Sequence, residues 1–274
     1  QNSLEFIYIN DPRDEEFVPV INEDKSPQKK TTTDEQAAIL YLRNKLNKSL
    51  GTETYYIYKR EGAEGGTGYQ AQKGMINTLG SFIKYNFDSY TLRVQAAYQF
   101  GTYGNQDRRA LGGYTFLDRE FKHPWKPQAS LGFIYLSGDK QSSTKNEAWD
   151  PLFNRNGGWM TELYANAIKL DTGISAYWSN LQMWRTSLVF APMKKMKLSL
   201  FYNYLRPAQS VAMNVTNNLA GKKGRRGHLP QAKVDYSFTK NISAYFLAEY
   251  FIPGSFYIVK DDALFLRTQL EFKF

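Results

Sequence analysis

The sequence predicts an all-β fold, an antiparallel transmembrane β-barrel of about twelve strands, and three observations carry that prediction. Apolar and polar residues alternate with period two through many short segments. Aromatic residues make up 16% of the chain, with 20 Tyr and 18 Phe. The connections alternate between short turns and long loops.

The alternation is clearest in three places. From Tyr90 it places Leu92, Val94, Ala96, Tyr98 and Phe100 on one face and mostly polar groups on the other. It returns in Ala232, Val234, Tyr236 and Phe238 against Gln231, Lys233, Asp235 and Ser237, and again in Leu266, Thr268, Leu270, Phe272 and Phe274 against Arg267, Gln269, Glu271 and Lys273. Since strand side chains point to opposite faces in turn, each segment reads as a strand with one apolar face. Further strands fit at about 2–9, 36–46, 52–60, 76–87, 108–119, 127–137, 181–191, 196–205 and 242–251.

Asn47 to Gly51, Asp88-Ser89, Pro192 to Lys195 and Thr239-Lys240-Asn241 are short connections, whereas 10–35, 61–75, 138–180 and 206–226 are long. Short periplasmic turns and long outer loops are the barrel pattern. The final strand should run toward the periplasm, so 138–180 is expected to lie wholly outside and to hold no lone spanning strand. Within it Met160, Leu163, Tyr164, Ala167 and Ile168 fall at helical spacing, with Glu162, Asn166 and Lys169 elsewhere on the wheel. That spacing predicts a short amphipathic helix in an outer loop, with an irregular loop or extra-membrane hairpin as the alternative.

Composition narrows the function classes. Mean hydropathy is −0.54 and no stretch approaches the roughly 20 consecutive apolar residues of a membrane-spanning helix, which excludes helical spanning but not a barrel wall. The absence of Cys excludes disulfides, Cys metal sites and thiol catalysis. Net charge is +9, compatible with anionic partners of several kinds, and no recognisable nucleic-acid motif accompanies it. The chain opens in a strand at Leu4-Glu5-Phe6-Ile7-Tyr8, so residues 1–274 are expected to form a single barrel domain, either small and complete or lacking its first strands. An export signal is expected to have been removed or to lie upstream of Gln1.

Two stretches exceed the generic pattern. One is Leu136-Ser137-Gly138-Asp139-Lys140 leading to Trp149-Asp150-Pro151-Leu152-Phe153; the other is the closing Phe272-Lys273-Phe274. The first resembles the alginate-export porin family, and the second is similar to the aromatic C-terminal signal of outer-membrane proteins. The resemblance runs from about Leu4 to Phe274 and includes Ala97-Tyr98-Gln99-Phe100-Gly101. It implies the outer membrane of a Gram-negative bacterium, a barrel of about eighteen strands of which roughly the first third is absent here, and an arginine-rich pore for an anionic polysaccharide such as alginate.

If the apolar faces meet lipid, the partner faces project into a wet lumen. Lys84, Arg93, Arg185, Lys197, Lys233 and Arg267 then point inward, with Arg43 as an addition, against Asp235, Glu249 and Glu271, so that bases are expected to outnumber acids inside the wall. A ring of fixed positive charge favours passing anions, and the planar arginine fork suits carboxylates, which singles out Arg93, Arg185 and Arg267. The other reading of these bases is cross-strand ion pairing that merely holds the interior together. Lys222-Lys223-Gly224-Arg225-Arg226 in an outer loop is either a solvated run or a contact for anionic polymer or lipopolysaccharide. His123-Pro124-Trp125 reads as a periplasmic turn with an interfacial aromatic, and Gly65-Gly66-Thr67-Gly68 as an outer-loop turn, since no P-loop lysine follows.

The leading expectation is a passive outer-membrane channel for anionic solutes, in contact with outer-membrane lipid and lipopolysaccharide, with no catalytic residue, metal or cofactor. A second is an anchoring barrel for partner proteins, its lumen plugged by loops. A third is a barrel hydrolase built on Ser199, Asn203 and His228, which requires those side chains to converge.

Overall fold

Among the described residues twelve strands pair in chain order into one antiparallel sheet. They are β1 (Asn2–Asp11), β2 (Glu35–Lys45), β3 (Leu50–Glu61), β4 (Gly74–Phe87), β5 (Tyr90–Tyr103), β6 (Gln106–Glu120), β7 (Gln128–Leu136), β8 (Leu181–Met193), β9 (Met196–Arg206), β10 (Gly227–Ser237), β11 (Ile242–Pro253) and β12 (Ala263–Phe272). The structure is a computed structural model and describes residues 2–11, 35–62, 65–66, 69–70, 73–153, 161–173 and 175–274. Every strand expected from the alternation is present, and several run a few residues longer. Among the described residues β1 and β12 each pair on one side only, so the sheet is open.

Register fixes the faces. Lys84 sits opposite Gly51 and Arg93, Arg93 opposite Phe116, and Phe116 opposite Gly132, which in turn faces Arg185. All of these share the inner face. The alternate positions carry the exposed apolar residues, among them Leu40, Leu79, Leu111, Leu131, Leu200 and Leu266. A water-soluble sheet would bury that face; a membrane wall presents it to hydrocarbon. Leu79→Arg, near the middle of β4, should therefore cost about 2–4 kcal/mol of folding stability. Urea titration of the protein refolded into lipid vesicles measures it, and an unchanged midpoint would remove the lipid-facing assignment.

Aromatic residues gather at both ends of this outer face. Toward the short turns, Tyr85 stacks on Phe87 and Phe87 on Tyr90, each pair with ring centroids 5.4 Å apart, and Trp125 lies 6.0 Å from Phe190. Toward the long loops, Tyr98 meets Phe100 at 5.9 Å, and Trp184, Tyr204 and His228 form a run with spacings of 5.6 and 5.2 Å. Their ring bodies suit hydrocarbon and their polar tips suit headgroups, so the two belts mark the interfaces.

The connections at one end, 46–49, 88–89, 121–127, 194–195 and 238–241, are short, which makes it the periplasmic end. At the other end the connections are long except for the tight turn Gly104-Asn105 between β5 and β6. Gly65 and Gly66 pair with Gln70 and Tyr69 in one of these loops; Thr67 and Gly68, like the bulk of the 10–35 connection, lie outside the described residues. Residues 213–214 and 219–220 form a second small hairpin.

The expected loop helix is present as two consecutive turns, α1 (Glu162–Ala167) and α2 (Lys169–Thr172); Met160 lies outside the described residues. Its placement corrects one expectation. The described residues of the 137–180 connection hold no spanning strand, but they do not lie wholly outside: they fold back over the inner face. The cause is that this face is apolar near its outer end. Ile134, Leu136, Leu181, Met183, Leu205, Leu229 and Phe251 cluster there with Tyr164, Ile168 and Trp178 from the loop. Left open to water those side chains would lose the stabilisation of burial, which the loop supplies.

Candidate functional site

The inner face divides into an obstructed outer half and an open periplasmic half. The obstruction begins where β7 ends. Ser137 accepts a hydrogen bond from the Leu111 amide at 3.0 Å and donates to the Glu147 carbonyl at 2.7 Å, while the Asp139 carboxylate accepts from the Glu147 amide at 2.9 Å. These bonds turn the chain inward and deliver Trp149-Asp150-Pro151-Leu152-Phe153 to the wall.

That segment docks residue by residue. Trp149 lies flat on the backbone of Gly112, where an added Cβ would come within 2.6 Å of its ring. Asp150 exchanges two bonds with the Gln99 side chain: its amide donates to Gln99 Oε1 at 2.9 Å and its carbonyl accepts from Gln99 Nε2 at 2.8 Å. Its carboxylate accepts from Tyr177 Oη at 2.9 Å and faces Arg108 at 3.4 Å. The ring of Phe153 sits 4.8 Å from the ammonium of Lys59, itself buried between Glu61 at 2.5 Å and Glu35 at 3.2 Å. Gly112→Val should destabilise this docking by about 1–3 kcal/mol through overpacking. A red-shifted tryptophan emission with protease cleavage inside 139–180 would report it; unchanged emission and protection would mean Trp149 is not held there.

The helical part is tied down by wall charges. Glu249 on β11 accepts from Thr161 Oγ1 at 2.7 Å and from the amides of Glu162 and Leu163 at 3.2 and 2.6 Å, and so caps α1 from outside the helix. A carboxylate is favoured at that end because the first amides have no intrahelical acceptor. Arg226, fully buried just before β10, grips Asp171 at 2.5 and 3.0 Å, and donates to Tyr164 Oη at 3.1 Å and the Asn180 carbonyl at 3.0 Å. Burial pushes the Tyr164 phenol well above its ordinary value, against the pull of the Arg226 charge, which keeps the hydroxyl neutral as an acceptor.

Beneath the obstruction lies a chamber of about 650 Å³ on the periplasmic side. Its charged lining is Lys84, Arg93 and Arg185 against Asp118 and Glu120. Arg93 holds Asp118 with two bonds, 2.7 and 3.0 Å, and lies 5.0 Å over the Phe116 ring. Arg185 donates to Asn203 Oδ1 at 3.1 Å and lies 4.4 Å over Phe201. Lys84 is exposed and has no ion pair among the described residues.

Three of the six candidate residues, Lys84, Arg93 and Arg185, thus converge on one cavity, and three do not. Arg267 is ion-paired with Glu162 at the start of α1, so it braces the obstruction instead of completing a ring with Arg93 and Arg185. Lys233 pairs with Asp235 at 2.6 Å beside the Tyr245 ring. Lys197, opposite Asp235 in register, is exposed and without an ion pair among the described residues. Arg43 pairs with Glu5 and lies 4.3 Å over Tyr41. The inner face also carries Glu5, Glu35, Glu53, Glu61, Asp118 and Glu120, so it approaches charge balance where a basic surplus was expected. Those acids sit on strands whose alternation is less regular, which hid their direction.

Ser199, Asn203 and His228 do not converge. Ser199 and Asn203 are buried on the inner face, whereas His228 points outward into the aromatic belt, 2.6 Å from Tyr202 Oη. His123 and Trp125 meet edge to face at the periplasmic end. The basic run splits: Lys222, Lys223 and Arg225 are exposed, while Arg226 is the buried anchor of α2. Gln99, Lys59, Arg108, Asp150, Asp171 and Glu249 carry the docking contacts without having been singled out as a group by sequence. The signal that pointed to part of this set was the Trp149–Phe153 motif, whose partner side chains Gln99 and Arg108 lie 51 and 42 positions from Asp150 along the chain.

A family model described as alginate export matches residues 15–267. No curated protein matches the chain. Among solved structures, an outer-membrane channel of Pseudomonas putida F1 is 11% identical with a TM-score of 0.38, covering 87% of this chain and 84% of its own. OmpT, an outer-membrane protein of Vibrio cholerae, is 11% identical with a TM-score of 0.34, covering 96% of this chain and 89% of its own.

Proposed function

Because this chain belongs to the alginate-export family, and so is a β-barrel channel of the Gram-negative outer membrane, we propose that it passes anionic solutes, an acidic polysaccharide foremost, through the lumen bounded by its inner face. The observation that carries the reading is the periplasmic chamber, where Lys84, Arg93 and Arg185 meet on a wall of mixed polar and aromatic character. A carboxylate-bearing chain in a narrow water-filled space gains from such fixed charges because they need not reorganise as it passes. The arginines are braced, one by Asp118 and one over Phe201, so their geometry is held ready. Passage is passive and needs no catalytic group. With Asp118 and Glu120 in the same wall, the anion preference is modest.

Planar-bilayer recording of the full-length protein tests this. Stable conductance with a reversal potential displaced toward the chloride value in a KCl gradient is expected. One observation favours a second reading, an anchoring barrel for partner proteins: the described residues of the 137–180 connection cover the outer half of the inner face. A silent membrane, with conductance appearing only when that loop is shortened, would favour the anchor.

A further inference from the structure

The outward face of β3–β6 carries basic charge that the lumen does not use. Strand alternation turns Arg60 on β3 and Arg109 on β6 toward lipid. Lys73, one residue before β4, keeps the same direction, because its carbonyl still accepts from the Gly104 amide at 2.9 Å and so extends the ladder. All three are exposed and make no ion pair or cation–π contact among the described residues. Asp107 is the acid among the outward positions of these strands, so the patch is net positive. The outward arginine of the periplasmic rim is placed differently: Arg119 lies 5.2 and 4.7 Å over the rings of Tyr90 and Phe121.

Register sets the depth of these groups. Arg109 stands opposite Phe100 in the outer aromatic belt, and Arg60, opposite Met75, is two residues further out. Three strand spacings separate the two arginines, about 14 Å. Below the belt the wall is hollow. An apolar groove of about 590 Å³ crosses it, walled by Leu79, Tyr98 and Leu111 and floored by Ser81, Ala96 and Gly113, which pair in register. The hollow is built into the backbone, since a Cβ on Gly113 would come within 2.2 Å of the Gln95 carbonyl oxygen. The Ser81 hydroxyl is spent on the Glu53 carbonyl at 3.0 Å, which leaves the floor apolar.

Any acyl chain could enter such a groove, so the charge above it selects the occupant. Guanidinium forks take phosphate bidentately, and basic pockets at the membrane interface hold anionic headgroups. Two separated arginines over one groove match a lipid with two separated phosphates over its acyl chains. The outer-leaflet lipid of that form is lipopolysaccharide, whose lipid A anchor carries a phosphate at each end of an acylated disaccharide. Arg206, outward at the rim of β9, provides the contrast: the rings of Trp184, Tyr202 and Tyr204 occupy the wall beneath it. We propose that the outward face of β3–β6 binds one lipopolysaccharide molecule, with its phosphates on Arg60 and Arg109, Lys73 between those strands, and an acyl chain in the groove. The site rests on the orientation of the wall and is independent of what passes through the lumen.

The test uses the full chain folded in detergent micelles, with folding verified by heat-modifiable gel mobility. Bisphosphorylated lipid A, its dephosphorylated form and phosphatidylglycerol are the probes, and native mass spectrometry reads their occupancy. One lipid A per barrel is expected, held about tenfold or more weaker when Arg60→Gln is combined with Arg109→Gln, and weaker by a similar factor for the dephosphorylated form. Ala96→Phe fills the groove from an exposed position and removes no charge, so it should lower the affinity on its own. Arg206→Gln should leave the affinity unchanged. Five results overturn the proposal: no lipid A retained; phosphatidylglycerol held as tightly; an equal loss in Arg206→Gln; affinity undiminished by the double variant or by Ala96→Phe; or a dimer that Ala96→Phe dissociates, which would give the groove to a second copy of the chain.

Discussion

Replacing Arg226 with Met should free residues 137–180 from the inner wall. The guanidinium is fully buried and satisfies the Asp171 carboxylate, the Tyr164 hydroxyl and the Asn180 carbonyl together. Its removal leaves a carboxylate buried with no counter-charge. Breaking a buried pair in this way costs about 3–5 kcal/mol, because the surviving charge keeps its desolvation penalty and loses its compensation. The wall strands keep their ladder, so the loss falls on the docking of α1 and α2. Limited proteolysis of the folded barrel should show rapid cleavage within 161–180, and bilayer conductance should rise. Adding Asp171→Leu should restore much of the protection, since the orphaned charge is then gone. Protection unchanged in Arg226→Met would show that the apolar cluster, not the ion pair, holds the loop.

Reversing two inner-face charges, Lys84→Glu with Lys197→Glu, should shift the anion-to-cation permeability ratio at least about tenfold toward cations, since the fixed charge changes by four units and each is worth up to roughly 1 kcal/mol at close approach in water. These two lysines are the choice because neither is committed to an ion pair among the described residues, so reversal does not dismantle a wall contact. Asp118→Asn should move selectivity the other way, by releasing the Arg93 fork that Asp118 now occupies. Both effects should shrink as salt rises, because the screening length is about 10 Å at 0.1 M and shorter above. Reversal potentials across a KCl gradient at two ionic strengths measure this. Equal ratios in wild type and the double variant would place the ion path away from the chamber.

The wall was legible in the sequence because its two solvents differ: hydrocarbon selects Leu79, Leu111 and Leu131, and the lumen leaves the positions between them polar. Period two is a local signal, so it survives without any knowledge of partners. The obstruction was legible only as a motif and a helical spacing. What places it is long-range: Gln99 with Asp150, Lys59 with Phe153, Glu249 with Thr161, Arg226 with Asp171. One local trace did exist. Ile134, Leu136, Leu181, Met183, Leu205 and Leu229 occupy inner-face positions that a bare wet lumen would make polar, and all lie at the outer ends of their strands. Apolar residues on the polar face mean that something dry lies against them. The same logic explains why the partner of Arg267 was hidden: it points inward as expected, but α1 brings Glu162 to it, and nothing near position 267 records that.

The division of the lumen also has an electrical meaning. Resistance concentrates where the cross-section is smallest, so a voltage applied across the bilayer falls mainly over the outer half. There the field acts on Arg226, Asp171, Lys59 and Asp150, while Lys84 and Arg93 sit near the potential of the periplasmic bath. Each elementary charge moved through the full drop is worth about 2.3 kcal/mol per 100 mV. Voltage-dependent closure, if the channel shows it, is therefore a property of the infolded loop and not of the arginines below.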